Sequence, residues 1–411
     1  MKIRDERGRA LGAVKTPPDL VEFMVSLCHP TKSRCRVLEP GCGDCPFLLA
    51  FAQRYGFHHE LVGIDIDPEA VRAAKRNMPT ATIIEGDFLL WEPDGRFDII
   101  IGNPPYGIIG DGSHYPIHSL KEKKGIYRNR FWTWQGKFNI YGAFIEQAVK
   151  LLNEGGKLVF VVPASWMVLD DFAKLRLFLA HSGHLTIYYF GRVFSDRRVS
   201  CVVMTLEKGR KGISLHDGLS PVSRRTDYAG ELIRFETPEW LAFEKSGPPL
   251  ECFFHIHFAA RSPEVRAHPL VSTTPKSSLV PVLTGRNLKS GWIDYQNCYS
   301  GLWMPQEAAP TLRFFYAFPH IVVGHTKGTR VVAAVDDRCY PWREEFHLVA
   351  KADGLDERAI AAYLNSEVVQ DYVRSLYRDL VPHLTLPMLS RIPIPQEFIP
   401  THRLSLFAQE N

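Results

Sequence analysis

The chain has 411 residues, 45% hydrophobic and 23% charged, with a formal net charge of +4. These values are ordinary for a soluble globular protein of two domains, or of one large domain with a smaller one, and the low net charge confines any nucleic-acid surface to a local patch. The start, Met1-Lys-Ile-Arg-Asp-Glu-Arg, lacks the apolar core of a signal peptide, and the longest apolar run, Leu158 to Leu169, contains Pro163 and is too short to span a bilayer.

The eight cysteines are scattered along the chain. Cys42-x-x-Cys45 has no second Cys or His pair to complete a tetrahedral metal set, so no metal is expected. Buried, reduced thiols in a cytoplasmic protein without membrane contact fit better.

The first predicted helix follows Thr16-Pro17-Pro18-Asp19, where Thr16 suits the N-cap and Pro17 the first helical position. Leu20, Phe23, Met24 and Leu27 repeat at helical spacing. A strand at Arg36 to Glu39 then runs into the turn Pro40-Gly41-Cys42-Gly43-Asp44, and a helix follows from about Pro46 to Tyr55, closed by Gly56. Gly41 and Gly43 let backbone approach a ligand closely. A second strand, Glu60 to Ile66, carries Asp65 roughly 20 positions after the glycine turn, where an acid can bind ribose hydroxyls. Asp67 caps the helix that begins at Pro68. A third strand, Ala81 to Asp87, ends in an acid followed by Phe88, a pair that could bond and stack an adenine.

The fourth strand is the apolar run Phe97-Asp-Ile-Ile-Ile-Gly102, and it ends in Asn103-Pro104-Pro105-Tyr106. Both prolines lack N–H groups and have fixed φ, so the backbone is stiff and presents free carbonyls. The result is an amide, a bare carbonyl and a phenol ring at the carboxyl end of a central strand, where ligands bind in open α/β sheets. The tip offers no general base, nucleophile or metal ligand set. It suits a planar substrate whose –NH₂ lone pair is delocalised. Asn103 Oδ1 and the Pro104 carbonyl can accept both N–H bonds and localise that lone pair, while Tyr106 stacks on the ring. The electrophile must then be strong by itself, as a sulfonium methyl is.

An insertion from Gly107 to Lys137, rich in Lys, Arg, Tyr and Trp, reads as a substrate-facing lid or a packed loop, and the interleaving of basic residues with aromatics modestly favours contact with nucleic acid. A helix (141–152), the Asn153-Glu-Gly-Gly turn, a fifth strand (157–162), a helix (170–182) and a sixth strand (184–190) follow. The seventh strand, 199–207, is joined by a short loop holding Phe194, Arg197 and Arg198, so it is expected to run antiparallel. The fold class is therefore α/β, a doubly wound seven-stranded sheet, over residues 1–208. Residues 209–230 read as a linker or edge excursion, and 231–411 as a second, mixed α+β domain. There, Arg286, Lys289, Lys327 and Arg330 sit at turns beside glycines and could reach phosphates or base edges. Late helices are expected at 355–364 and 367–376.

The order of glycine turn, acidic strand end, Asp87-Phe88 and Asn103-Pro104-Pro105-Tyr106 resembles the S-adenosylmethionine-dependent amino-methyltransferases. With the Thr16-Pro17-Pro18 helix first and a second domain last, it resembles the gamma arrangement of DNA adenine-N6 methyltransferases. Longer strings, among them Phe88-Leu-Leu-Trp-Glu-Pro, Leu283-Thr-Gly-Arg-Asn-Leu-Lys, His325-Thr-Lys-Gly-Thr-Arg, Tyr340-Pro-Trp-Arg-Glu-Glu-Phe-His and Val381-Pro-His-Leu-Thr-Leu, are similar to the TaqI-type members over nearly the whole chain. The resemblance implies a Rossmann-like methyltransferase sheet with S-adenosylmethionine surrounded by Thr16, Glu39, Pro40, Gly41, Cys42, Asp65, Asp87, Phe88, Pro105 and Phe144, with Gly43 and Ile66 beside them. It implies that Asn103 and Pro104 hold an adenine N6, that Tyr106 and Phe194 pack on the flipped base, and that the second domain recognises the target. The implied target is duplex DNA at the palindrome TCGA, within a restriction-modification system. Lys137, Arg197 and Arg198 join the four basic residues of the second domain as expected DNA contacts, and a monomer suffices for an enzyme that modifies one strand at a time. Three departures from the TaqI-type pattern stand near these sites: the turn Gly41-Cys42-Gly43-Asp44 in place of Ala-Cys-Ala-His, which agrees better with the wider family, Asp65 in place of Glu, and Phe138 in place of a Tyr. Two other readings remain. One is the same core acting on a protein glutamine amide or an RNA base, and the other is a non-catalytic DNA-binding scaffold.

Overall fold

In the first unit the apolar runs become the middle of one sheet. β1 (Arg36–Pro40), β2 (Glu60–Asp65), β3 (Thr82–Glu85) and β4 (Phe97–Gly102) pair in parallel in the spatial order β3-β2-β1-β4. Val37, Leu38, Val62, Ile64 and Ile99 to Ile101 are all buried, as expected when helices cover both faces of parallel strands. The helices are α1 (Pro18–Ser26), α2 (Pro46–Tyr55) and α3 (Pro68–Asn77). Gly56, at φ +103°, ends α2, and the Asp67 carboxylate accepts from Glu69 N–H at 3.1 Å to cap α3.

The computed structural model describes residues 11–12, 14–110, 116–117, 119–194 and 199–399. The chain divides into two compact units, Met1–Arg234 and Phe235–Asn411. Among the described residues, no helix is long and apolar enough to cross a membrane.

After β4 a short helix, α4 (Lys124–Arg130), lies within the insertion, and α5 (Ile140–Leu151) leads into β5 (Leu152–Pro163). The Asn153-Glu-Gly-Gly segment falls inside β5, where the register against β4 shifts between Phe97 and Ile99. α6 (Ala173–Ser182), β6 (Gly183–Gly191) and β7 (Cys201–Lys208) complete the expected seven strands. β7 runs antiparallel between β5 and β6, as the short preceding loop predicted.

Of the two readings of 209–230, a linker or an edge excursion of the sheet, the strands match the second. β8 (Ile213–Asp217) pairs parallel with β6, and β9 (Ser220–Arg225) turns back against β8. Among the described residues the sheet therefore has nine strands. Ile213 and Leu215 are buried, but β9 reads Ser-Pro-Val-Ser-Arg-Arg. Proline and charge are tolerated there because an edge strand has one unpaired side.

The second unit is built on an antiparallel sheet of β10 (Phe254–Phe258), β11 (His320–Val323), β12 (Ala333–Asp336) and β13 (Phe346–Ala350), in the order β10-β13-β11-β12. α7 (Glu357–Leu364) and α8 (Glu367–Tyr377) follow. The turns are held by buried polar side chains. The Asn287 amide donates to the Asp294 and Asn297 carbonyls, each at 2.7 Å, and accepts from Thr284 N–H at 2.9 Å. The Asp336 carboxylate accepts from Trp342 Nε1 and from the Tyr295 hydroxyl, both at 2.7 Å.

Candidate active site

The carboxyl ends of β1, β2 and β4 open onto one cavity of about 980 Å³. Thr16, Glu39, Gly41, Cys42, Gly43, Asp65, Ile66, Asp87, Phe88, Asn103, Pro105 and Phe144 all line it. Pro40, also expected there, does not line it; it is the buried last residue of β1, pairing with Ile64.

The glycine turn is shaped by its backbone. Gly41 and Gly43 adopt φ +62° and +56°, in the left-handed region where a side chain is strained. The Asp65 carboxylate accepts from Gly43 N–H and from Asp67 N–H, each at 2.8 Å. It thus fastens the turn after β1 to the end of β2. Burial raises its pKa. Glu39 is buried, and its carboxylate accepts from Leu48 N–H at 2.8 Å, at the first turn of α2. Burial holds its carboxyl well above the usual range. The Cys42 thiol is also pushed up, first by its hydrogen bond with Cys45 and then by burial.

Asp87 has more partners than the sequence indicated. Its carboxylate accepts from Leu89 N–H at 3.1 Å, from Lys123 Nζ at 2.8 Å and from the Tyr127 hydroxyl at 2.7 Å. Phe88 packs on Phe144 with ring centroids 5.0 Å apart.

At the tip after β4, Asn103 is held from outside its own strand. Its Nδ2 donates to the Val14 carbonyl and to Thr16 Oγ1, each at 3.0 Å. Both amide hydrogens are thereby used, and the Val14 carbonyl sets the flip, because a reversed amide would place its oxygen against that acceptor. Asn103 Oδ1 is buried with no hydrogen-bond partner. Thr16 is not the cap of α1, contrary to expectation. The helix starts at Pro18, the cap position falls on Pro17, and no side chain caps it; the Thr16 hydroxyl faces Asn103 instead.

Pro104 is buried. Tyr106 is 6% exposed, donates its hydroxyl to the Val161 carbonyl at 3.1 Å, and lies edge-on to Phe194 at 6.0 Å between centroids. Phe194 is 3% exposed. The two rings meet each other, but neither lines the cavity.

Lys137 is exposed in the first unit, and Arg197 and Arg198 lie outside the described residues. In the second unit Arg286 and Arg330 are exposed, and Lys289 and Lys327 are half-buried. Burial lowers the Lys327 pKa, and the neighbouring positive charges of Lys289 and Arg330 add to this. Lys289 and Arg330 therefore lie close to Lys327.

The sequence did not point to Glu345, the fully buried carboxylate near Lys327. It accepts from the Thr326 hydroxyl at 2.9 Å and from His325 N–H. A Cβ on Gly285 would come within 2.3 Å of its Oε1. The 283–289 and 324–330 turns therefore meet on Glu345, which itself belongs to the Tyr340-Pro-Trp-Arg-Glu-Glu-Phe-His string. Val14, Lys123 and Tyr127 were likewise not identified, because each acts across a long stretch of chain and carries no local pattern.

Comparison with known proteins follows the same division. Residues 37–111 match a methyltransferase domain family, residues 79–194 the Eco57I restriction-modification methylase family, and residues 280–394 the TaqI-like C-terminal specificity domain. The chain is 56% identical to the type II methyltransferase M.TthHB8I of Thermus thermophilus over 395 residues, covering 94% of this chain and 91% of the relative. It is 30% identical to the type II methyltransferase M.PaeR7I of Pseudomonas aeruginosa over 215 residues, 44% of this chain and 36% of that one. Among solved structures, a nuclease-deletion mutant of the Type ISP restriction-modification enzyme LlaGI, in complex with a DNA substrate mimic, shares the fold at a TM-score of 0.55 and 13% identity, over 91% of this chain and 45% of that chain.

Proposed function

The chain belongs to the type II DNA methyltransferases of restriction-modification systems, and on that premise we propose that it methylates N6 of an adenine turned out of duplex DNA, at TCGA, using S-adenosylmethionine. The observation that carries the chemistry is Asn103. A buried acceptor without a partner costs about 1–3 kcal/mol, and Asn103 Oδ1 is one. An exocyclic amine donating to it removes that cost, and the rigid Asn103-Pro104 backbone offers a second carbonyl for the other N–H.

The 980 Å³ cavity fits the donor by chemistry as well as by size. Asp65 offers a carboxylate to ribose hydroxyls, Phe88 and Phe144 offer ring faces, and the two glycines leave the backbone free of Cβ atoms. When bound, S-adenosylmethionine supplies an electrophilic sulfonium methyl. What the protein adds is a sharper nucleophile and its alignment. Two acceptors on the amine draw its nitrogen toward sp³ and aim the lone pair. In this proposal Tyr106 and Phe194 supply the aromatic surface for the base. Turning the base out costs a few kcal/mol, and each base–aromatic contact recovers about 1–3 kcal/mol. The specificity-domain match and the basic patch of Lys289, Lys327 and Arg330 support DNA as the substrate.

The test is Asn103→Ala. Methyl transfer to DNA is expected to be lost while S-adenosylhomocysteine binding, read by calorimetry, stays close to wild type. Retained turnover would remove Asn103 from the reaction.

A further inference from the structure

The Asp87 carboxylate has four lone-pair positions. Among the described residues three are filled: one on Oδ1 by Leu89 N–H, and two on Oδ2 by Lys123 Nζ and the Tyr127 hydroxyl. One position on Oδ1 is left. Lys123 and Tyr127 both come from the 107–137 insertion, whose expected role was toward nucleic acid. They approach from different sides. Tyr127 is fully buried and lines the cavity with Leu120, Phe88, Leu89 and Phe144. Lys123 is not part of the wall, and its side chain is 39% exposed. The next residue, Lys124, donates to the Ile109 carbonyl at 2.8 Å, and Arg130 pairs with Glu92 at 3.0 Å. The start and end of α4 are therefore both anchored, so Tyr127 is held where it meets Asp87.

We propose that Tyr127 and Lys123 are positioning residues that orient the Asp87 carboxylate so that its remaining Oδ1 lone pair meets the exocyclic amine of the donor's adenine. This rests on the cofactor reading of the cavity given above. The Tyr127 hydroxyl and the Lys123 ammonium occupy Oδ2 and fix the carboxylate rotation. A carboxylate so fixed accepts an amine N–H and repels a ring carbonyl at the same place. The insertion thereby becomes a wall of the cofactor site and a determinant of which nucleoside the site accepts. A loop that merely packs on Asp87 would not make that discrimination.

The test compares binding of S-adenosylhomocysteine with that of S-inosylhomocysteine, which carries a carbonyl where adenine carries the amine. Calorimetry on the full chain reads both affinities without any turnover. Tyr127→Phe keeps the ring and the packing, and Lys123→Met keeps the stem on the surface. Each is expected to weaken S-adenosylhomocysteine about tenfold, the scale of one hydrogen bond to a charged group, while S-inosylhomocysteine changes little, so that the preference for adenine narrows. Equal weakening of both ligands, or no change in either, would overturn the proposal and leave Lys123 and Tyr127 as fasteners of the loop. If the wild-type chain binds neither ligand, the cofactor reading itself fails, and the inference with it.

Discussion

Asn103 Nδ2 donates to Thr16 Oγ1 at 3.0 Å, across 87 positions of sequence. The residue assigned to the substrate amine is thus aimed by the segment before α1 rather than by its own strand. Thr16 also lines the cofactor cavity, so one residue stands beside both halves of the proposed reaction.

Thr16→Val keeps the side-chain volume and removes that acceptor. The Val14 carbonyl still holds one amide hydrogen, so the aim of Asn103 loosens and is not lost. Single-turnover methylation is expected to slow on the order of tenfold, the scale of one hydrogen bond. Thr16→Ser, which retains the hydroxyl, is expected to stay near wild type. A Thr16→Val enzyme with unchanged single-turnover rate would detach Thr16 from the reaction.

In the second unit, Gly285→Ala would set a Cβ 2.2 Å from Thr326 Oγ1 and 2.3 Å from Glu345 Oε1. Relief requires the Thr326 and Glu345 side chains to shift, at the expense of their hydrogen bond, or the 283–289 turn to move. A loss of about 1–3 kcal/mol in denaturant unfolding is expected, the usual cost of overpacking, together with weaker DNA binding.

Glu345 gives a pH dependence with a definite sign. Burial raises its pKa to about 7, against an ordinary value of 4.5. Its neighbours are the Thr326 hydroxyl, the His325 N–H and the Lys327 ammonium, which partly oppose the shift. Because the folded pKa lies above the unfolded one, this stabilising contribution is complete below about pH 4.5 and fades as pH rises through about 7. Glu345→Gln mimics the neutral acid at every pH. The melting temperature of wild type relative to Glu345→Gln is therefore expected to fall between pH 5 and pH 8, other titrations cancelling in the difference. A flat difference would show that the carboxyl is already ionised at the low end.

Lys327→Ala is expected to weaken binding to duplexes of every sequence, because the residue belongs to a patch of like charge with Lys289 and Arg330. The slope of log K against log salt should become shallower by about 1, one phosphate contact. A change confined to TCGA duplexes would instead make Lys327 a reader of bases.

The parallel core was legible because strands buried on both faces are written as continuous apolar runs, as in Ile99-Ile-Ile101 of β4. The glycine turn, Asp65 and the Asn103 tip followed from their places at strand ends, and most of the expected cofactor residues do line one cavity. What stayed hidden depends on distant partners. A Thr before Pro-Pro looks like a cap, and nothing local says that its hydroxyl faces an amide 87 positions away. Asp87 reads the same with or without Lys123 and Tyr127. β9 could not be told from a linker because an edge strand with a solvated face can be as polar as one. The basic turns were visible one by one, whereas their meeting depends on Glu345, a carboxylate whose burial only the fold reveals.

The most direct measurement is methyl transfer from labelled S-adenosylmethionine to three duplexes: one containing TCGA, one with that adenine already methylated on both strands, and one with the four bases scrambled. Transfer to the first alone is predicted, with label recovered as N6-methyladenine. Equal transfer to the pre-methylated duplex, or label recovered on another base, would contradict adenine N6 as the target of the Asn103 site.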